Sequence, residues 1–294
     1  MGKVMDIDIP SLDQLIVQVN DSEICSIQRT IANILRIIND PKSSAKQLKD
    51  VIELDPPLSA KMLMRANSAY YGASQHIDEI QKAIVWLGFD MVKELALSQK
   101  VCELFLDDTQ HGDFSLPDLW KHSVAVALCG KLICRREFRQ SGNNLYAAGL
   151  LHELGIIIEN QFLHEGFVNM LDHKHRYDDA FPPAEMKAFG YDHTMVGAWL
   201  ARQWDFPAEL VDCISWHHTP LDAEGSCSRL AMALYIADHL CGHEGIGYCD
   251  EPSGDREMLQ TCMQKLDMKP VAAQLIVTEV KEEIARMEQQ GWFV

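Results

Sequence analysis

The chain has 294 residues and nine cysteines, and no two of those cysteines form a C-x-x-C pair. That spacing argues against a cysteine zinc site. Cys129, Cys213 and Cys241 sit in apolar contexts and read as reduced, buried thiols of a cytosolic protein. No run stays apolar and free of charge over the roughly 18 residues that a membrane span requires, so no membrane partner is expected. The opening MGKVMDIDIPSLDQ carries acidic residues where a leader peptide has a basic end and an apolar core. Asp6 stands where a myristoylation signal has Ser or Thr. The expected location is cytoplasmic. Positive charge is scarce too: 26 Lys and Arg face 43 Asp and Glu, for a net charge of −17. Nucleic acid needs basic patches to neutralise phosphate, so it is excluded as a partner. The densest basic run, KLICRREFR from Lys131 to Arg139, reads as a solvated helix face. Alternating apolar and polar residues with turn dipeptides are missing, so no sheet is expected.

What is present is helical periodicity. Ile27, Ile31, Ile34, Leu35 and Ile38 fall on one stripe. Ser44 and Gln47 form a capping-box pair for the next helix. Asp55, just before Pro56-Pro57, is placed to cap the one after. Acidic, Gly and Pro residues from Asp107 to Pro117 mark a boundary, and 243–255 forms a second loop. A long final helix is expected over 269–290, with Val271, Leu275, Val280, Ile284 and Met287 on its apolar face. In RANSAYYG, Asn67 and Ser68 are expected to hold a helix junction and Tyr70 and Tyr71 to be buried with bonded hydroxyls. A partner-binding patch at Arg65 and Tyr71 is the other reading.

The twelve histidines are unevenly placed. Only His76 and His111 precede residue 116. Later come LPDLWKHS (Asp118, His122), GLLHELG (His152, Glu153), DHTMVGAWLARQW (His193), WHHTP (His217, His218) and YIADHL (Asp238). Imidazole and carboxylate are the ligand types of Fe, Mn, Zn and Ni. Asp118 and His122 are four apart and can point the same way from a helix. His193 belongs in the first turn of an amphipathic helix. Adjacent residues on a helix diverge by about 100°, so His217 and His218 would share a site only if it held two metals, or if one acted on a substrate. Any single one of these is ordinary as a bonded core histidine; the series at successive helix ends is not. His164, His173, His175, His239 and His243 read as surface or loop residues.

Residues 10–240 resemble the HDOD domain, the HD-related output domain of bacterial signalling proteins within the HD superfamily of metal-dependent phosphohydrolases. The segments that carry the resemblance are IELDPPLSAKMLMRANSAYYG, IQKAIVWLGFDMVKELAL, LWKHSVAVALCGKL, LYAAGLLHELG, DHTMVGAWLARQWDFPAELVDCISWHHTP and LYIADHL. The resemblance implies an all-α fold of two helical lobes, an N-terminal lobe over 1–115 and an HD-like bundle with a C-terminal helix over 116–294. It also implies a metal shell of His122, His152, Glu153, His193, His217, His218 and Asp238, with Asp118 as a further ligand or support, holding one or two divalent transition ions.

Three departures from the related HD-GYP enzymes bear on activity. Glu153 stands where those enzymes have Asp. Ile156 stands where they carry a phosphate-contacting lysine. HHTPLDAEGS replaces their GYP segment. The reading that follows is a metal-binding signalling module with weak or no turnover, whose partners are a signalling protein or a small nucleotide. The alternative is a metal-dependent phosphohydrolase or phosphodiesterase, including one for a cyclic dinucleotide. A third reading is redox or oxygen sensing at a di-iron centre.

Overall fold

The computed structural model describes residues 9–22, 24–106, 110–177, 180–225, 227–248 and 255–293. The opening residues on which the leader and acylation readings rest lie outside this set, as do 107–109 and 249–254 of the two expected loops. Among the described residues the chain is all-α apart from one two-residue antiparallel ladder, Gln110–His111 against Phe114–Ser115.

Six helices precede that ladder: α1 (Leu12–Asn20), α2 (Ile24–Asn39), α3 (Ala45–Glu53), α4 (Pro56–Ala66), α5 (Ile80–Leu87) and α6 (Phe89–Cys102). Their starts are written locally. Ser11 with Gln14, and Ser44 with Gln47, form reciprocal capping boxes. Asp55 caps α4 by accepting from Leu58 N, and Pro56-Pro57 occupy the first turn, where no N–H partner is needed. Ile31, Ile34 and Leu35 of α2 are fully buried, while Ile27 and Ile38 pack at the edge of the same core. Asn67 ties the end of α4 to the loop beyond it. Its amide donates to Leu63 O and Ile77 O, and its carbonyl accepts from Ile77 N.

Ten helices follow: α7 (Leu116–Glu137), α8 (Asn143–Leu151), α9 (Leu154–Phe162), α10 (His164–Tyr177), α11 (Phe181–Phe189), α12 (His193–Gln203), α13 (Ala208–Trp216), α14 (Cys227–His243), α15 (Arg256–Lys265) and α16 (Pro270–Gln289). Helix α7 is central and packs against α8, α14 and α16. It is buried on several sides, as expected of a helix apolar nearly all round. Helix α12 crosses both α9 and α13. One apolar core runs from Leu15 in α1 to Met287 in α16.

Two expectations need correcting. Val271 and Leu275 are exposed, and α16 buries Ala273, Ile276, Val277, Val280, Ile284 and Met287 instead. At about 100° per residue, position 271 lies opposite position 280, so the two cannot share a face. Lys131 is not solvated either. It is buried and donates to the equally buried Glu94 of α6. A carboxylate from a distant helix changes the fate of a residue that looked like surface.

Lys100 of α6 also sits low in the fold, between Asp55 (2.6 Å) and Glu103 (2.7 Å). Burial alone would raise the carboxyl pKa of Asp55. The bonds from Lys100 and Leu58 N outweigh it and hold the pKa below its ordinary value. A depressed carboxyl pKa stabilises the fold at neutral pH and loses that contribution as pH falls through the acid range below about 4. Asp55→Ala removes the α4 cap and one partner of Lys100, so a loss of about 1–2 kcal/mol is expected. Chemical denaturation at pH 7 and at pH 3 checks it: the gap between wild type and variant should narrow in acid.

Candidate metal centre

The HE pair sits where two helices meet. His152 ends α8 and Glu153 precedes α9, so neither side chain is confined to a helix face. His152 Nδ1 lies 2.9 Å from Gly149 O. A carbonyl only accepts, so Nδ1 carries the proton and Nε2 presents a bare lone pair. That Nε2 lies 3.5 Å from Glu153 Oε1 and 4.0 Å from Asp238 Oδ1. His217 repeats the device at the end of α13: Nδ1 donates to Ile214 O at 2.8 Å, leaving Nε2 bare.

His193 opens α12, whose N-cap is Asp192. Its Nδ1 lies 2.7 Å from Glu185 Oε2. Its Nε2 lies 3.2 Å from His217 Nε2, 3.0 Å from His218 Nε2 and 3.4 Å from Glu153 Oε2. His122 of α7 places Nε2 2.8 Å from Asp238 Oδ1 of α14. The donor atoms of His193, His217 and His218 therefore lie within 4.8 Å of one another, and so do those of His122, His152 and Glu153. Glu153 faces both groups, one oxygen towards each.

The expectation that His217 and His218 diverge is corrected. The pair stands at the C-terminal end of α13 rather than within it, so the 100° rule of helix interiors does not apply. Their ring centroids are 4.2 Å apart and both rings turn to His193. Asp118, one turn before His122, is exposed, and its carboxylate accepts from Ser115 Oγ at the start of α7.

These groups fit a metal better than they fit each other. His152 Nε2 and Glu153 Oε2 are buried without a hydrogen-bond partner, which is costly unless something supplies a positive charge. His193 Nε2 lies 3.0–3.2 Å from two imidazole nitrogens, so without an ion a proton on His193 must bridge them, and a single N–H cannot satisfy both. Two nitrogens bound to one ion at about 2.05 Å would be separated by about 2.9 Å in octahedral and about 3.3 Å in tetrahedral geometry. Burial, then the neighbouring imidazoles, push the pKa of His217 well below its usual range. Burial and His193 lower that of His218. Neutral rings are the metal-binding form. Burial also opposes the charge of His193, but Glu185 outweighs it and pushes the pKa up to about 10. Asp238 is half-buried, and desolvation opposes its charge, but His122 holds its pKa well below the carboxylate range.

Sequence reasoning missed Glu185 and Glu159, both fully buried. Glu185 accepts from His193 N at 3.0 Å as well as from the ring. Burial, then Glu185, raises the Glu159 pKa well above normal. The available signal was an acid inside the apolar run GIIIENQF. Carboxylates behind a ligating histidine fix its tautomer and strengthen it as a donor. Glu185→Gln should therefore weaken metal binding about tenfold, at the low end of such replacements, while leaving the fold intact. Competition with a fluorescent chelator measures it.

The HDOD domain model matches residues 24–220. The chain belongs to the HDOD domain family. The fold agrees. An HDOD protein of unknown function from Geobacter sulfurreducens is 27% identical, with 88% of this chain and 89% of that one aligned at a TM-score of 0.73. A candidate signal transduction protein from Marinobacter aquaeolei is 21% identical, with 90% of this HDOD chain aligned to 58% of that one and a TM-score of 0.73. A candidate phosphohydrolase from Shewanella amazonensis is 22% identical, with 97% of each chain aligned and a TM-score of 0.67. Matches to two curated relatives span only 38% and 22% of those proteins. No described helix is long and apolar enough to cross a membrane.

Proposed function

We propose that this HDOD chain is a metal-binding signalling module with weak or no turnover. His122, His152, Glu153 and Asp238 hold one divalent transition ion (Fe, Mn, Zn or Ni). Glu153, His193, His217 and His218 hold a second. The output runs through contact with a signalling protein or a small nucleotide. The observation that carries the reading is the pairing of orphaned donors, His152 Nε2 and Glu153 Oε2, with a buried Ile156 three residues beyond Glu153. The donors call for a cation. Ile156 lies in the apolar core, so no charged side chain at that position reaches a phosphate. Loss of one such contact is worth about 3–4 kcal/mol in a transition state, by analogy with oxyanion donors.

The protein's own part is orientation. Gly149 O and Ile214 O fix the tautomers of His152 and His217, and Glu185 fixes that of His193. Glu153, with one oxygen towards each histidine group, sets the distance between them. A bound divalent ion would supply a Lewis acid that polarises phosphate and lowers the pKa of water.

A hydrolase remains the second reading, favoured by Glu153 serving both groups. Metal analysis of protein purified without chelators, together with assays of phosphodiester and cyclic di-GMP hydrolysis under added Mn, Fe and Ni, separates the two. Stoichiometric metal without turnover is expected. Turnover that disappears in His152→Ala and Asp238→Ala would replace the module with the hydrolase.

A further inference from the structure

Tyr70 and Tyr71 of RANSAYYG line a cleft of ≈ 220 Å³ that none of the metal ligands lines. Helix α6 contributes Glu94, α7 contributes Leu128 and Lys131, and Trp292 closes the side beyond α16. The two tyrosine rings meet edge to face with centroids 4.7 Å apart. Arg65 lies over the Trp292 ring at 4.1 Å, which holds the indole in place.

Arg135, Glu279 and Glu283 also line the cleft, but Glu279 is paired with Arg136 and Glu283 with Arg286, so the unsatisfied carboxylate is Glu94. Its side chain is only 8% exposed. Oε2 accepts from Lys131 Nζ, but Oε1 is buried and has no donor. A carboxylate oxygen in that state loses its hydration without compensation. Lys131 already balances the charge of Glu94, and Arg135 lines the same cleft, so a further cation at Oε1 would meet like charges. A neutral N–H group would satisfy the oxygen without that repulsion.

Size and shape narrow the ligand further. An apolar cavity of about 150 Å³ admits benzene, so ≈ 220 Å³ has room for two fused rings. Flat aromatic walls favour a planar partner. We propose that this cleft binds a neutral, planar, two-ring heteroaromatic molecule whose N–H donates to Glu94 Oε1. Binding would tie the RANSAYYG segment, α6 and α7 to the end of the chain at Trp292, giving the module a small-molecule input separate from its metal centre.

Calorimetric and thermal-shift titrations at pH 8 test this on the full chain. Indole, indazole and benzimidazole are the probes, and 1-methylindole keeps the two rings without the N–H. Indole is expected to bind and raise the melting temperature. 1-methylindole is expected to bind at least about tenfold more weakly, since a hydrogen bond to a charged group is lost. Leu128→Trp fills the cleft and should abolish indole binding with metal content unchanged. Glu94→Leu combined with Lys131→Met leaves no buried charge unpaired and should erase the preference for indole over 1-methylindole. Equal binding of those two probes to the wild type, indole binding that survives Leu128→Trp, or failure of all three N–H probes to bind would overturn the proposal.

Discussion

Stripping the protein with a chelator is expected to lower its melting temperature by roughly 10 °C, and adding Mn, Zn or Fe back should restore it. A ligand that binds only the folded state at about 1,000 times its Kd stabilises by about 4 kcal/mol. Each kcal/mol shifts the melting point of a chain of this size class by about 2–4 °C. The apo protein carries a further penalty. Without a metal ion, a single proton on His193 Nε2 must serve two imidazole nitrogens at 3.0 and 3.2 Å. His152 Nε2 also stays buried without a hydrogen-bond partner, 3.5 Å from Glu153 Oε1 and 4.0 Å from Asp238 Oδ1. His122→Ala should show a smaller fall, because the His193, His217 and His218 group survives it. A protein that contains no stoichiometric metal, and whose melting temperature neither the chelator nor His122→Ala changes, would refute the metal centre.

Local signals were legible in the sequence, and through-space ones were not. Ser44 with Gln47, and Asp55 before two prolines, depend only on residues a few positions away, and they cap as expected. The histidine series was also legible: His152, His193, His217 and His218 stand at helix ends, although His122 and Asp238 lie inside α7 and α14. Once helix ends are known, the HD-type arrangement brings His122, His152, Glu153, His193, His217, His218 and Asp238 together. The rest depends on which helices touch. Glu185 becomes the partner of His193 only because α11 and α12 fold back on each other. Lys131 is buried only because Glu94 arrives from α6. The apolar face of α16 was misjudged because 271 and 275 are apolar residues on a side that α7 does not cover. The convergence of His217 and His218 was misjudged for a related reason: the turn geometry at the end of α13 follows no helical period.

Gly155→Ala is expected to destabilise the fold by about 3 kcal/mol or more, the upper range for overpacking, and to empty the metal centre in the same step. A methyl at position 155 would lie 2.0 Å from His193 O and 2.6 Å from His193 C and Cα. Those are backbone atoms, so no rotamer relieves the clash. Helix α12 must retreat by more than 1 Å, and Gly197 one turn further along offers no slack, because it already faces Gly155 N across the same crossing. His193 rides on that turn. Its Nε2 is 3.4 Å from Glu153 Oε2, so a retreat separates the two halves of the site that Glu153 spans. Gly190→Ala is the matched control. Gly190 ends α11 at φ 81° with open space around a would-be Cβ, so only the backbone conformation is strained, at about 1 kcal/mol. Thermal melts and metal analysis of both variants decide the matter. Gly155→Ala should lose metal and most of its stability, and Gly190→Ala should keep its metal. If the two variants melt together and both retain metal, the close crossing of α9 and α12 is not what positions His193.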